Sequence, residues 1–148
     1  MKLALITGKS TLWYLFNTTI TTEQHEIIDE TLQKLNLLNV KHAISGSLSH
    51  GQKQWLEIAM AIINKPQLLL VDEPIAGMSP NERDKTGELL TQIAEDRTVF
   101  VVEHDMKFVS NFSTSVLVMH EGRIIDNGTF DKIVNNQEVI EIYLGRQK

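Results

Sequence analysis

The stretch that decides the fold is Leu68-Leu69-Leu70-Val71-Asp72-Glu73, which is followed by Pro74. Four consecutive apolar residues are typical of a parallel strand covered on both faces, because a strand with one exposed face alternates apolar and polar residues. In open α/β sheets, ligands bind beyond the carboxyl ends of the strands. Two carboxylates at such an end can divide the work, since one can coordinate Mg²⁺ directly or through water while its neighbour polarises a nucleophilic water. A buried strand that simply ends in charged loop residues is the alternative.

Helix and strand signals alternate on both sides of this stretch. Three residue pairs have the spacing of a helix capping box: Thr21 with Gln24, Ser49 with Gln52, and Ser79 with Glu82. They predict helices that begin near residues 23, 50 and 80, the second running to about Asn64 and the third to about Ala94. The second helix is apolar almost all round, which predicts deep burial.

Further strands are predicted at residues 2–6, 98–102 and 115–119, with residues 12–22 irregular or a short helix. A turn at Glu121-Gly122 predicts a hairpin, and two short helices are predicted at residues 130–134 and 138–144. Strands that alternate with helices indicate an α/β domain with a mostly parallel sheet.

Composition narrows the functional classes. The chain has 148 residues, a formal net charge of −5 and no cysteine. This mild acidity argues against a dedicated nucleic-acid binder, which normally carries a basic face. Without cysteine there is no disulfide framework and no thiolate chemistry. No apolar run approaches the roughly 20 residues of a membrane helix, and the first residues do not resemble a signal peptide. We therefore expect a soluble cytoplasmic protein.

The tetrapeptide Gly8-Lys9-Ser10-Thr11 follows the first predicted strand. In a phosphate-binding loop, backbone N–H groups surround the phosphates, the lysine reaches the β- and γ-phosphates, and the serine binds Mg²⁺. The full pattern has another glycine five residues before Gly8, where this sequence has Leu3. Because Gly-Lys-Ser-Thr is also common at strand ends, this partial motif leaves both interpretations open.

Two further motifs are weak singly. Leu48-Ser49-His50-Gly51-Gln52 begins a capped helix, whose free N–H groups, serine hydroxyl and positive dipole end suit an anion, although an ordinary helix start is the simpler interpretation. His104 follows the strand at residues 98–102. If that strand neighbours residues 68–72, His104 lies at the same sheet edge as Asp72 and Glu73, where it could contact a γ-phosphate or hold the attacking water. It could equally be a loop residue.

Taken together and in their order along the chain, the four motifs resemble those of the ATP-binding subunits of ABC transporters. The segment Leu48-Ser49-His50-Gly51-Gln52, called the signature segment below, is similar to the family signature, and residues 68–72 to its Walker B strand. Glu73 and His104 stand where the family has its catalytic glutamate and switch histidine, and Ala76-Gly77-Met78-Ser79 stands at its D-loop. Details such as Val102-Glu103-His104-Asp105-Met106 look like the urea and branched-chain amino-acid uptake subgroup, and most like the urea type.

The resemblance implies a P-loop NTPase (RecA-like) fold with a mostly parallel sheet and part of the helical subdomain, its N-terminal strands largely missing. Residues 1–148 would form a single shortened domain. Residues 1–12 would be a phosphate-loop stub, residues 13–64 a partial helical subdomain with the signature helix, and residues 65–148 the Walker B and switch-histidine half.

The resemblance also implies an activity, Mg²⁺-dependent ATP hydrolysis, with Glu73 and His104 as catalytic residues and Ser10 and Asp72 as metal ligands. The nucleotide-binding residues would be Gly8, Lys9, Ser10, Thr11, Leu48, Ser49, His50, Gly51 and Gln52. Such subunits pair head to tail, which implies that Ser49 and Gly51 would act on the nucleotide held by the other subunit. They work with transmembrane permease subunits at the inner face of the cell membrane.

Three departures from the family leave an alternative open. The residues before Gly8 lack the glycines of the phosphate loop, the strand with the adenine-stacking aromatic has no counterpart, and the stretch between Lys9 and Leu48 is too short for the glutamine-loop region. A loop without its glycines cannot surround phosphates with N–H donors, so weak ATP binding is expected. The alternative is a non-catalytic remnant or a dimerisation module. Exposed apolar side chains on residues 68–71 and 98–102 would favour a remnant.

Overall fold

The computed structural model describes residues 21–145, which divide into two compact units. The first unit extends to Val102 and the second begins at Glu103. The first contains α1 (Thr22–Lys34), α2 (His50–Ile62), β1 (Leu68–Asp72), α3 (Pro80–Ala94) and β2 (Thr98–Val102), with short 3₁₀ helices at Leu38–Val40 and Ser45–Ser47. The strand predicted at residues 2–6 and the Gly8–Thr11 tetrapeptide lie outside the described residues.

All three predicted capping boxes form, and they define where α1, α2 and α3 begin. In each, the N-cap hydroxyl accepts the N–H of the third helical residue, whose side chain accepts the N-cap N–H. These reciprocal bonds satisfy backbone donors that have no partner inside the helix. The helix starts predicted from the sequence are therefore confirmed, and α3 ends at Ala94 as expected.

The two strands of the first unit form a parallel pair. Leu68 lies beside Thr98 at one end, and Asp72 lies beside Val102 at the other. Helix α2 contacts β1 and helix α3 contacts β2. The α/β fold with parallel strands is thus confirmed.

The prediction that these strands are covered on both faces is wrong for the described part of the chain. Leu69 and Val71 are buried, whereas Leu68 and Leu70, which point the other way, are 53% and 69% exposed. On β2, Phe100 and Val102 are likewise exposed. The described helices bury one face of the pair, and the sequence could not show this because all four residues of the β1 stretch are apolar.

Helix α2 is also less deeply buried than its composition predicts. Trp55, Ile58, Ala59 and Ile62 are buried, because spacings of three and four residues place them on one face. Leu56 lies off this face and is only half-buried.

The second unit contains α4 (Met106–Phe112), β3 (Val116–His120), β4 (Arg123–Gly128), α5 (Phe130–Val134) and α6 (Gln137–Gly145). Strands β3 and β4 pair antiparallel, with an irregularity between Val118 and Met119. The hairpin turn has positive φ at both Glu121 and Gly122, which suits the twist of a two-residue hairpin loop. The predicted hairpin and short helices are confirmed. None of the helices in residues 21–145 has the length and apolar character required to cross a bilayer.

Candidate functional site

The carboxyl end of β1 carries the two predicted carboxylates. Asp72 is the last residue of the strand and Glu73 follows it, and both are exposed. The Glu73 N–H donates a 2.9 Å hydrogen bond to the Val102 carbonyl, so the backbone of Glu73 remains tied to β2. Its φ is nevertheless +44°, a left-handed conformation that costs free energy for a residue with a Cβ. Such strain clusters at functional sites, where the surrounding structure holds it in place.

The loop of residues 73–79 turns tightly from β1 towards α3. Pro74, Ile75 and Met78 are buried and anchor the loop to the core. The Ala76 N–H donates to the Glu73 carbonyl at 3.2 Å, and Met78 N–H does the same to Ile75. Hydrogen bonds within the loop therefore hold the backbone that follows Glu73.

The signature segment forms the start of α2. Leu48 is buried, Ser49 is the N-cap, and Gln52 completes the capping box. The N–H groups of His50 and Gly51 lie in the first turn, where no carbonyl of the helix can reach them. This end of the helix dipole suits a negatively charged group.

Contacts from the signature segment reach both the loop and the next helix. His50 Nε2 lies 2.9 Å from the Ala76 carbonyl oxygen. Gly51 is packed so closely that an added Cβ would lie 2.7 Å from Glu82 Oε1. The start of α2, the loop of residues 73–79 and the start of α3 are therefore in direct contact.

The Glu82 carboxylate is held mainly by Ser79. Glu82 Oε2 accepts the Ser79 hydroxyl at 2.7 Å and the Ser79 N–H at 3.0 Å. These two hydrogen bonds, helped by the nearby imidazole of His50, lower the pKa of Glu82 below its ordinary value of 4.5. Glu82 thus stays ionised beside Gly51.

A buried polar cluster behind these contacts was not predicted from the sequence. Trp55 Nε1 donates to the Thr86 hydroxyl at 2.8 Å, and that hydroxyl donates to the Glu82 carbonyl and lies 3.2 Å from Met78 Sδ. Trp55 is buried, as the apolar composition of α2 predicts. Thr86, fully buried in an amphipathic helix, gave no signal beyond being a polar residue on the apolar face.

His104 belongs to the second unit, one residue past its start. Its backbone N–H donates to Glu103 Oε2 at 3.1 Å, and its ring Nδ1 lies 4.0 Å from the same oxygen. The His104 side chain is 78% exposed, whereas that of Glu103 is only 2% exposed. The imidazole is thus open to solvent on an anchored backbone. Gly8, Lys9, Ser10 and Thr11 fall outside the described residues.

The carboxylate of Asp72 is suited to a metal ion whose other ligands are waters and phosphate oxygens. Within residues 21–145, no group of three His, Cys, Asp or Glu side chains could hold an ion alone. Mg²⁺ is usually bound by one or two carboxylates together with waters and substrate phosphates. The exposed carboxylate of Asp72 fits that mode.

Comparison with known proteins finds similarity to ABC transporters. The family model described as "ABC transporter" matches residues 10–76. The chain is 35% identical over 125 residues to the high-affinity branched-chain amino acid transport ATP-binding protein BraF of Pseudomonas aeruginosa, covering 83% of this chain and 49% of that protein. It is also 35% identical over 127 residues to LivG of Escherichia coli K12, a protein with the same description, covering 82% and 50%. The chain therefore spans about half the length of these relatives.

Solved structures agree with this similarity. The ADP conformation of an ATP-binding cassette of an ABC transporter superposes with a TM-score of 0.80 and 29% identity, covering 97% of this chain and 60% of that one. A nucleotide-free ATP-binding cassette superposes with a TM-score of 0.78 and 28% identity, covering 96% and 61%.

Proposed function

The chain belongs to the family of ABC transporter ATP-binding subunits, and we propose that it binds and hydrolyses ATP to drive a branched-chain amino-acid or urea importer. One observation carries the proposal. The strained carboxylate residue Glu73 stands beside Asp72 at the end of a parallel strand, and the loop that follows is fastened to the N-terminus of the signature helix.

The predicted catalytic and metal-binding residues would have separate roles. Glu73 would accept a proton from the water that attacks the γ-phosphorus, because a fixed backbone orients its exposed carboxylate. His104 would donate a hydrogen bond to the γ-phosphate, for which its exposed imidazole is suited. Asp72, with Ser10, would hold Mg²⁺. When bound, that ion offsets the charge of the phosphate oxygens.

Binding would come from two segments. Gly8, Lys9, Ser10 and Thr11 would surround the phosphates of one nucleotide, with Lys9 neutralising β- and γ-phosphate charge. The signature segment, Leu48, Ser49, His50, Gly51 and Gln52, would act through the free N–H groups and dipole of α2. We propose that it serves the nucleotide of a second subunit in a head-to-tail dimer.

The partners would be a second ATP-binding subunit and transmembrane permease subunits, at the inner face of the cell membrane. The names of BraF and LivG, both branched-chain amino acid transport proteins, support this substrate class. The proposal of urea as a substrate rests on the resemblance of stretches such as residues 102–106 to the urea-type subgroup. The domain division into residues 1–12, 13–64 and 65–148 is likewise part of the proposal.

Hydrolysis is tested with Glu73→Gln. Loss of a general base typically lowers the rate by about 10²–10⁴-fold, so phosphate release at saturating ATP·Mg²⁺ should fall by at least about 10²-fold. The matched control is Glu121→Gln, whose side chain is 84% exposed in the hairpin turn of the second unit. Equal phosphate release from wild type and Glu73→Gln would favour the non-catalytic alternative.

Binding is tested by calorimetric titration with ATP·Mg²⁺. Because the phosphate loop lacks its first glycine, we expect weaker affinity than the micromolar values usual for intact sites. Lys9→Ala, compared in the same titration, should weaken binding further. Micromolar affinity in wild type would contradict the expected effect of the altered loop.

A further inference from the structure

The side chain of His50 faces the loop of residues 73–79. His50 is the first residue of α2, and its Nε2 lies 2.9 Å from the Ala76 carbonyl oxygen. A carbonyl oxygen can only accept a hydrogen bond, so Nε2 must carry the proton. The neutral Nε2–H tautomer and the imidazolium both satisfy this requirement.

The same ring packs against the next residue of the loop. Gly77 has φ +68°, and a Cβ added there would lie 3.5 Å from His50 Cδ2 and Nε2. The imidazole therefore packs beside the left-handed turn as well as bonding to it.

A second helix holds the same loop two residues further on. Arg83 Nε of α3 donates to the Met78 carbonyl at 3.1 Å. The Ala76 and Met78 carbonyls are thus fixed from α2 and from α3 respectively. On its other side, the Ala76 N–H donates to the Glu73 carbonyl. Ala76 is therefore hydrogen-bonded both to the His50 side chain and to the strained backbone of Glu73.

We propose that His50 is a positioning residue, which orients the Glu73 carboxylate through its hydrogen bond to Ala76 and so couples the signature segment to Glu73 within one subunit. This inference rests on the proposed function and assigns the His50 side chain a role other than contact with the nucleotide.

The decisive measurement is amide hydrogen exchange, which does not depend on ATP hydrolysis. His50→Phe keeps an aromatic ring but removes the donor, and His50→Gln restores an N–H at about the same reach. We expect the Ala76 and Met78 amides to exchange up to about tenfold faster in His50→Phe, the effect of losing one hydrogen bond, and to recover in His50→Gln. The matched control is His25→Phe, an exposed histidine near the start of α1.

Kinetics then separate positioning from nucleotide contact. Positioning predicts that His50→Phe lowers kcat while leaving KM for ATP within about twofold, with recovery of kcat in His50→Gln. A raised KM with unchanged kcat would assign His50 to the nucleotide and overturn the inference. Unchanged exchange of Ala76 and Met78 would overturn it as well. If the wild-type protein hydrolyses no ATP but the Ala76 and Met78 amides still exchange faster in His50→Phe, the proposed function is rejected. The contact between His50 and Ala76 then stands.

Discussion

The indole N–H of Trp55 lies 2.8 Å from the hydroxyl of Thr86, and this buried hydrogen bond joins α2 to α3. Both partners are buried, with Trp55 9% and Thr86 0% exposed. An unpaired buried donor costs about 1–3 kcal/mol, more than the bond itself contributes. Helix α2, which begins in the signature segment, and helix α3, which follows the loop of residues 73–79, are therefore linked by a hydrogen bond whose loss would lower the free energy of unfolding.

Thr86→Val should lower the free energy of unfolding by about 1–3 kcal/mol, because it leaves the Trp55 N–H without its acceptor. Chemical denaturation measures the change. In a Trp55→Phe background, where there is no indole N–H, the same substitution should cost clearly less. Equal costs in both backgrounds would contradict the assigned bond.

Gly51→Ala tests the close packing at the start of α2. Alanine is ordinarily favoured over glycine inside a helix by about 1 kcal/mol. Here its Cβ would lie 2.7 Å from Glu82 Oε1, so the carboxylate that Ser79 holds must shift. We expect no gain or a loss in wild type, and a gain of about 0.5–1 kcal/mol in a Glu82→Ala background, measured by thermal unfolding.

The second unit has its own acid-sensitive group. Hydrogen bonds from Lys132 and Asn136 lower the pKa of Asp126 from 3.8 to about 2. A carboxyl whose pKa is lower in the folded state contributes stability above its unfolded pKa and loses that contribution as pH falls. Asp126→Asn should therefore destabilise the protein at pH 6, and the difference from wild type should shrink between about pH 4 and pH 2. Lys132→Met, which removes the main cause of the shift, should reduce this pH dependence.

Neighbouring leucines of β1 should respond very differently to truncation. Leu69 is 4% exposed and Leu70 is 69% exposed. Leu69→Ala should cost about 2–5 kcal/mol, as in well-packed cores, whereas Leu70→Ala should change stability by less than about 1 kcal/mol. Urea unfolding of the two variants measures the contrast. Comparable losses would mean that the face of Leu70 is covered in solution.

Sequence reasoning found local features more readily than tertiary ones. Capping boxes such as Ser49 with Gln52 are decided within four residues, and they formed as predicted. The burial of residues 68–71 was misjudged, because a fully apolar strand does not tell which face a helix covers. The contacts of His50 with Ala76 and of Trp55 with Thr86 join residues 26 and 31 positions apart, and no local pattern encodes them.

The left-handed backbone of Glu73 has a consequence for how this position can change. At φ +44° a glycine would relieve the strain, so Glu73→Gly should leave the fold as stable or more stable while removing the carboxylate. Stability alone would favour losing this residue. A glutamate at this position lowers stability but supplies a carboxylate, and selection for thermal stability alone would replace it.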